Sequence, residues 1–396
     1  MSIEENDKRF LLRTVDQLAP MWRELALRIH GRPEPALQEH QACAWLSAAL
    51  EQAGFEVVRG VAGMSTSFVA TWDTSAEAPV IALMAEYDAL ENVGHACGHN
   101  LSGAASCLAA HALAKAEGDR GVRLRVFGTP GEEDESAGGK IRMLEQGLLK
   151  DVDFAMMAHA GFMNLPSREM LTRRSIDLEF RSPGAQDPGA AEPDGSALDA
   201  VVMVFSAMVE LRRDLTPWGR LDGVITEGGT MVRNRPKCPL ARAEIAIRAT
   251  RIDDLDELER RLHASARSAA EVTGTVLSWS SRPGRYLPMR RNPAMEAAYE
   301  KNMHLLGEEA GCFPPDEPIG STDFGNVSQV LPGIHAYFRT APREVKHHTP
   351  AYTEASRSEA GLVGMVVAAK AMALTALDLA RDSALRQAVR ADFRRG

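Results

Sequence analysis

A chain of 396 residues, 45% apolar and 25% charged, has the length for two domains with substantial cores and the composition of a soluble globular fold. A net charge of −9 with no basic block disfavours nucleic acid or an anionic membrane as partner, because both select clustered Lys and Arg. Five scattered cysteines (Cys43, Cys97, Cys107, Cys238, Cys312) predict a reducing cytoplasm rather than a disulfide framework, and no stretch reads as a signal peptide or a bilayer span.

Residues 8–53 read as one or two helices, with Leu11, Leu12, Val15 and Leu18 on one face and a second helix over Gln38–Gln52 that stops at Gly54. Phe55–Val58, Ser67–Trp72 and Val80–Met84 read as strands, the last an apolar run suited to the middle of a sheet. A small-residue helix over Leu101–Lys115, a strand at Val122–Phe127, a helix over 138–149 and a short strand Ala155–Ala158, ending at His159, continue the pattern. Strands alternating with helices predict an α/β domain with a mainly parallel mixed sheet.

The pattern changes near residue 170. Ser175–Phe180 alternates, Ala197–Arg213 is an amphipathic helix, Gly223–Met231 is a turn-rich strand and Leu240–Ala249 alternates again. A helix over Asp253–Thr273 and a strand at Thr275–Ser280 complete the order β-α-β-β-α-β of a ferredoxin-like module, with Ser182–Gly195 as a loop inside it. A helix (294–307), a loop, a strand (334–338) and a long terminal helix (354–381) then resume the first domain. The expected division is 1–171 and 287–396 for the larger domain, with 172–286 inserted.

Sites in open α/β sheets lie beyond the carboxyl ends of the strands. Glu86 and Asp88 follow one strand, Glu132 and Glu133 another, and His159 a third. Cys97 and His99 flank Gly98 just before a helix, whose first-turn N–H groups, with a nearby cation, would lower a thiol pKa. Thiolate and imidazole suit borderline divalent metals, and a thiolate could bridge two of them. Adjacent carboxylates point in different directions, so one of Glu132 and Glu133 can bind metal while the other moves protons. The same acidic run, Glu132 to Glu135, could instead be a solvated loop. Asp88 could fix the tautomer of a histidine ligand. His347 and His348 add a late candidate, whereas His30, His40, His111, His263, His304 and His335 read as structural. Together these clusters point to a two-metal hydrolase.

The runs Ala85–Leu90, His95–Asn100, Gly131–Glu133, Ala158–Gly161, Gly320–Ser328 and His348–Pro350 resemble, in order, a family of two-metal peptidases and amidohydrolases that includes aminoacylases and glutamate carboxypeptidases. Its most similar branch holds bacterial N-acyl amino acid hydrolases and aminobenzoyl-glutamate hydrolases. The resemblance implies a phosphorylase/hydrolase-like catalytic domain with an inserted ferredoxin-like α+β lid that commonly carries a dimer interface. It implies two divalent ions (Mn, Zn, Co or Ni) held by Cys97, His99, Glu133, His159 and His348. His348 is preferred to His347 by the residues that follow it. Glu132 takes the place of the general base, and Asp88 that of the carboxylate orienting a ligand.

Two positions depart from the family pattern. Asp187 stands where the lid usually carries a carbonyl-polarising His, and Arg233 stands in an Asn slot, where it could hold a substrate carboxylate by a two-point pair. The leading expectation is hydrolysis of a small amide (a dipeptide, an N-acyl or an aroyl amino acid) bearing a carboxylate. One alternative is an aminohydrolase that releases ammonia from an electron-poor aromatic amine such as 5-nitroanthranilate. Another is a metal-binding scaffold without catalysis.

Overall fold

The computed structural model describes residues 3–75, 77–118, 121–135, 138–183, 196–215, 219–232 and 235–395. In chain order it begins with helices α1 (Ile3–His30) and α2 (His40–Gln52) and strands β1 (Glu56–Arg59), β2 (Phe68–Asp73) and β3 (Val80–Ala85). Helix α3 (His99–Glu117), β4 (Arg123–Gly128), α4 (Gly139–Glu145) and β5 (Phe154–Gly161) follow. The next run is β6 (Thr172–Arg181), α5 (Ala197–Arg213), β7 (Arg220–Glu227), β8 (Thr230–Val232), β9 (Arg235–Lys237), β10 (Leu240–Ala249), α6 (Ile252–Thr273) and β11 (Val276–Ser281). The chain closes with α7 (Pro293–Leu305), α8 (Phe324–Val330), β12 (Gly333–Arg339), α9 (Pro350–Ala355), α10 (Glu359–Arg381) and α11 (Ser383–Arg395).

Two compact units result: Met1–Glu169 with Met289–Glu317 and Asn326–Gly396, and Met170–Pro288 with Pro318–Gly325. Residues 318–325, expected in the larger domain, cluster with the smaller unit, where the Leu171 N–H donates to the Gly320 carbonyl at 2.8 Å.

The larger unit is built on a six-stranded sheet of order β1-β2-β4-β3-β5-β12. Pairings β4–β3, β3–β5 and β5–β12 are parallel, and β1–β2 and β2–β4 are antiparallel. Every residue of β3 and β5 is buried, as expected for central strands covered on both faces. Helix α3 consists mostly of Ala, Ser, Gly and Cys, and nearly all of it is buried against β3, β5, α1 and α10. Gly103 permits this packing: a Cβ there would stand 2.4 Å from the Glu86 carbonyl oxygen.

The smaller unit is an antiparallel sheet of order β11-β6-β10-β7, the strand order of a ferredoxin-like β-α-β-β-α-β module, with α5 and α6 packed on it. On β10 the alternate residues Ala241, Ala243, Ile245, Ile247 and Ala249 are buried. The fold class expected from the sequence is thus the one observed: a mainly parallel mixed sheet plus an inserted ferredoxin-like module.

Several details differ from expectation. Strand β5 does not stop before His159 but runs through it to Gly161, because β12 pairs with it along that length. Helix α4 is shorter than 138–149. The terminal helix is divided, since Ser358 starts α10 afresh by accepting the Gly361 N–H at 3.1 Å. The hairpin β8–β9 and helices α8 and α11 were not anticipated. Helix α10 is, contrary to expectation, long and apolar enough to cross a membrane, but it is mostly buried as a core helix against α3, β5 and β12.

Replacing Gly103 by Ala forces α3 away from the end of β3. We expect Gly103→Ala to cost about 1–3 kcal/mol, read as a lower midpoint in urea denaturation; an unchanged midpoint would show that the helix shifts without penalty.

Candidate metal centre

The parallel strands deliver their carboxyl ends to one edge of the larger unit's sheet. Beyond β3 lie Glu86 and Asp88, beyond β4 lie Glu132 and Glu133, and near the end of β5 lies His159. Helix α3 starts at this edge with His99. Gly98 precedes it at φ +80°, and a Cβ there would lie 2.5 Å from the Ala160 Cβ, so glycine is required between Cys97 and His99.

Asp88 is buried and serves two neighbours. Its Oδ1 accepts from His99 Nδ1 at 2.8 Å and its Oδ2 accepts the Glu133 N–H at 3.0 Å. His159 Nδ1 donates to the Ala160 carbonyl at 2.7 Å. Carboxylate and carbonyl only accept, so both Nδ1 atoms carry a proton and leave the Nε2 atoms as the positions a cation would take. Those Nε2 atoms face each other at 3.3 Å, an arrangement that calls for a positive charge between them. Burial lowers His99, but Asp88, Cys97 and Glu86 together push it well above the imidazole range, so the pocket favours positive charge at this ring.

Cys97 joins two groups of donors. Its Sγ is 3.5 Å from His159 Nε2 and 3.7 Å from His348 Nε2, and His348 Nε2 is 3.5 Å from Glu133 Oε1. Cys97, His99 and His159 therefore converge within 4.8 Å, as do Cys97, Glu133 and His348. Bonds of about 2.0–2.3 Å to a tetrahedral cation place its ligands roughly 3.3–3.7 Å apart. The observed separations match that spacing, so these residues fit a pair of divalent cations sharing the Cys97 sulfur. Glu133 Oε1 and Glu86 Oε2 are buried without a hydrogen-bond donor among the described residues, as cation-facing oxygens would be.

His348 is held at φ +63°, a left-handed conformation that costs an imidazole residue about 1–3 kcal/mol. Its N–H donates to the Ala96 carbonyl at 2.9 Å, fixing it beside the Cys97 loop. His347 is occupied elsewhere, with its Nε2 donating to the Ala160 carbonyl at 3.0 Å.

The helix start by itself does not leave the Cys97 thiol acidic: desolvation and then the Glu133 carboxylate push it well up, and a cation would be needed to oppose them. Burial alone would raise Glu133 as well, but His348, His99 and Cys97 hold it down to about 2. Burial lowers His159 well below the imidazole range, and His99 and His335 add to that. Glu132 and Glu135 are buried, so the acidic run is not a solvated loop. Glu132 Oε2 lies 3.9 Å from His99 Nε2, apart from the Glu133 oxygen that faces His348.

Other site residues carry no sequence signal. Glu39 is fully buried and its Oε1 accepts the Gly131 N–H at 2.9 Å, while burial and the Asp88 charge push its carboxyl up to about 7. Lys140, which reads as an ordinary helical lysine, is buried and donates to Glu86 Oε1 at 2.6 Å; Glu86 Oε2 faces His99 Nε2 at 3.4 Å. His335, read as structural, stacks on His159 with ring centres 5.6 Å apart. Asp187 and Arg233 lie outside the described residues.

The fold and this double donor set suit a metal-dependent hydrolase of the α/β type. Residues 73–374 match the model of peptidase family M20/M25/M40, and the chain belongs to that family of metal-dependent hydrolases. It is 34% identical to an Xaa-Arg dipeptidase of Mus musculus, over 98% of this chain and 92% of that protein. It is 27% identical to a chain of the p-aminobenzoyl-glutamate hydrolase of Escherichia coli (strain K12), over 96% of this chain and 93% of that one. The fold is also similar to a dinuclear metal-binding peptidase of the M20 family from Bacillus subtilis, with TM-score 0.63 and 18% identity over 93% of this chain and 99% of that one.

Removing the Asp88 carboxylate strands His99 Nδ1 and the Glu133 N–H together. Asp88→Ala is expected to cost about 2–4 kcal/mol in chemical denaturation. Retention of full stability would mean that neither hydrogen bond organises the site.

Proposed function

We propose that this chain hydrolyses the C–N bond of a small amide, a dipeptide or an N-acyl or aroyl amino acid, releasing an amine and a carboxylate. The observation that carries the reading is the pair of donor groups joined at Cys97 with Glu132 beside them. Relatives named as a dipeptidase and as an aminobenzoyl-glutamate hydrolase support it over release of ammonia from an aromatic amine, and over a non-catalytic scaffold.

Cys97, His99, Glu133, His159 and His348 would hold two divalent cations; the mixed S, N and O donors admit Mn, Zn, Co or Ni. Such cations supply Lewis acidity at the amide carbonyl and bring the pKa of a water from 15.7 to about 7. Glu132 accepts a proton from the water that adds to the carbonyl carbon. The same carboxyl then gives that proton to the leaving nitrogen as the C–N bond breaks, so base and acid are one group in two steps. Asp88 keeps the His99 proton on Nδ1, so that Nε2 remains a donor throughout.

A metal-reconstitution screen with mass detection of products tests this reading. Glu132→Gln should lower kcat by about 10²–10⁴-fold with metal content retained, whereas Cys97→Ala should lose bound metal. Undiminished turnover in Glu132→Gln would assign the proton transfers to another residue.

We further infer a homodimer formed through the smaller unit. Strand β7 is an edge strand that exposes Val224 and Ile225, and α5 exposes Val202 and Val209 at a spacing that puts both on one face. Sedimentation should give a dimer, and Val209→Glu combined with Val224→Glu a monomer; a monomeric parent chain would dismiss this surface. The five unpaired cysteines suit a reducing cytoplasm, which cell fractionation checks.

A further inference from the structure

Arg168 lies between β5 and β6, and its guanidinium carbon sits over two aromatic rings, 4.4 Å from the centre of Phe313 and 4.5 Å from that of Tyr337. Phe313 is braced in turn by Phe162, with ring centres 6.1 Å apart. Such faces attract a guanidinium and orient it, but they cannot neutralise it or fill its fork of N–H donors. The Tyr337 hydroxyl is a neutral partner of that fork. The Nε–H is buried without an acceptor, and among the described residues no carboxylate pairs with Arg168. Its condition contrasts with Arg125, Arg282 and Arg343, each held by two carboxylates.

This cation, without a carboxylate partner among the described residues, lies close to the donor set. Tyr337 is the strand partner of His159 in the β5–β12 ladder, and their ring centres are 5.6 Å apart. Arg168 therefore stands one phenol ring away from the donor set. A fixed guanidinium beside a centre that collects divalent cations is repelled by them unless an anion lies between. The substrate class proposed above brings such an anion in its free carboxylate, a planar group that a guanidinium meets through two parallel hydrogen bonds.

We propose that Arg168 anchors the free carboxylate of the substrate and so decides which end of a small amide is presented to Glu132. This rests on the amide-hydrolysis reading and assigns a residue of this chain to the acid group that its substrates carry. Arg233, the sequence's candidate for that role, lies outside the described residues. The aromatic platform makes the site selective for planar anions held edge-on, since its rings offer apolar faces and no competing charge.

The test uses the metal-loaded protein and a ketomethylene analogue of alanyl-alanine, which cannot be hydrolysed, in its acid and carboxamide forms. Calorimetry on the parent chain should show a preference for the acid of roughly tenfold to hundredfold. Arg168→Met should abolish the preference by weakening acid binding alone, and Arg168→Lys, which keeps the charge but not the fork, should restore part of it. With cleavable dipeptides, Arg168→Met should raise KM for the acid and leave kcat within about threefold. Equal losses on acid and carboxamide would reduce Arg168 to a packing role, and unchanged acid affinity would remove it from the site. Binding that follows this pattern without turnover of any amide, under all four metals, would overturn the hydrolytic reading and leave the anchor standing.

Discussion

The two hydrogen bonds of Asp88 are the constraint on which the rest of the site depends. One carboxylate, set at the end of β3, holds the first residue of α3 through His99 Nδ1 and the loop after β4 through the Glu133 N–H. The first bond decides which His99 nitrogen carries the lone pair. The second fixes the backbone from which Glu133 and Glu132 both reach the His99 ring, their carboxylates and the imidazole lying within 4.8 Å of one another. Glu39 strengthens the arrangement from the other end of the same loop, since it accepts the Gly131 N–H two residues earlier. Two buried carboxylates thus secure alternate amides of Gly131-Glu132-Glu133, and a proton-transferring side chain needs such stiffness to meet a reacting atom within hydrogen-bond reach.

The charge balance of this region links folding to cation capture. Glu86, Asp88, Glu132 and Glu133 gather around His99 and Cys97, and the buried cation among them, Lys140, is committed to Glu86 Oε1. Desolvated carboxylates are costly unless paired, and a buried pair seldom repays its desolvation in full. His348 adds backbone strain at φ +63°. A chain optimised for stability alone would replace such groups with apolar ones. Their retention is understandable when binding of divalent cations contributes free energy to the folded state, as metal sites commonly do.

Much of this was legible in the sequence because strand-end residues inherit their position from local pattern. An apolar run that ends in Glu86-Tyr87-Asp88, or in a glycine followed by Glu132-Glu133, places its acids at the sheet edge wherever the rest of the chain goes. The ferredoxin-like order of the smaller unit was readable for the same reason, from alternation in Leu240–Ala249 and periodicity in Ala197–Arg213. What escaped notice depends on tertiary contact. Lys140 has nothing in its local sequence to mark it as buried, and only the structure shows its pairing with Glu86, 54 residues earlier. The helix dipole alone does not lower the Cys97 thiol against desolvation and the nearby Glu133 carboxylate, so the expected thiolate depends on the cation beside it. The apolar run of α10 was underrated as a possible span, and only its packing against α3, β5 and β12 identifies it as core.

The division between motif and specificity follows from the same geometry. Cation ligation needs lone pairs from several strand ends at separations near 3.5 Å, a requirement so strict that it leaves a dense signature in sequence. Recognition of the organic part of a substrate needs only a charge of the right sign on a stiff support, and many positions could provide it. Arg168 has no sequence neighbour that announces it, and its support comes from Phe313 and Tyr337, far along the chain. Motif residues therefore identify the bond to be broken, while side chains outside every motif select the molecule that contains it. Proteins that share this double donor set can differ in substrate without altering a single ligand, because the two demands are met by different parts of the fold.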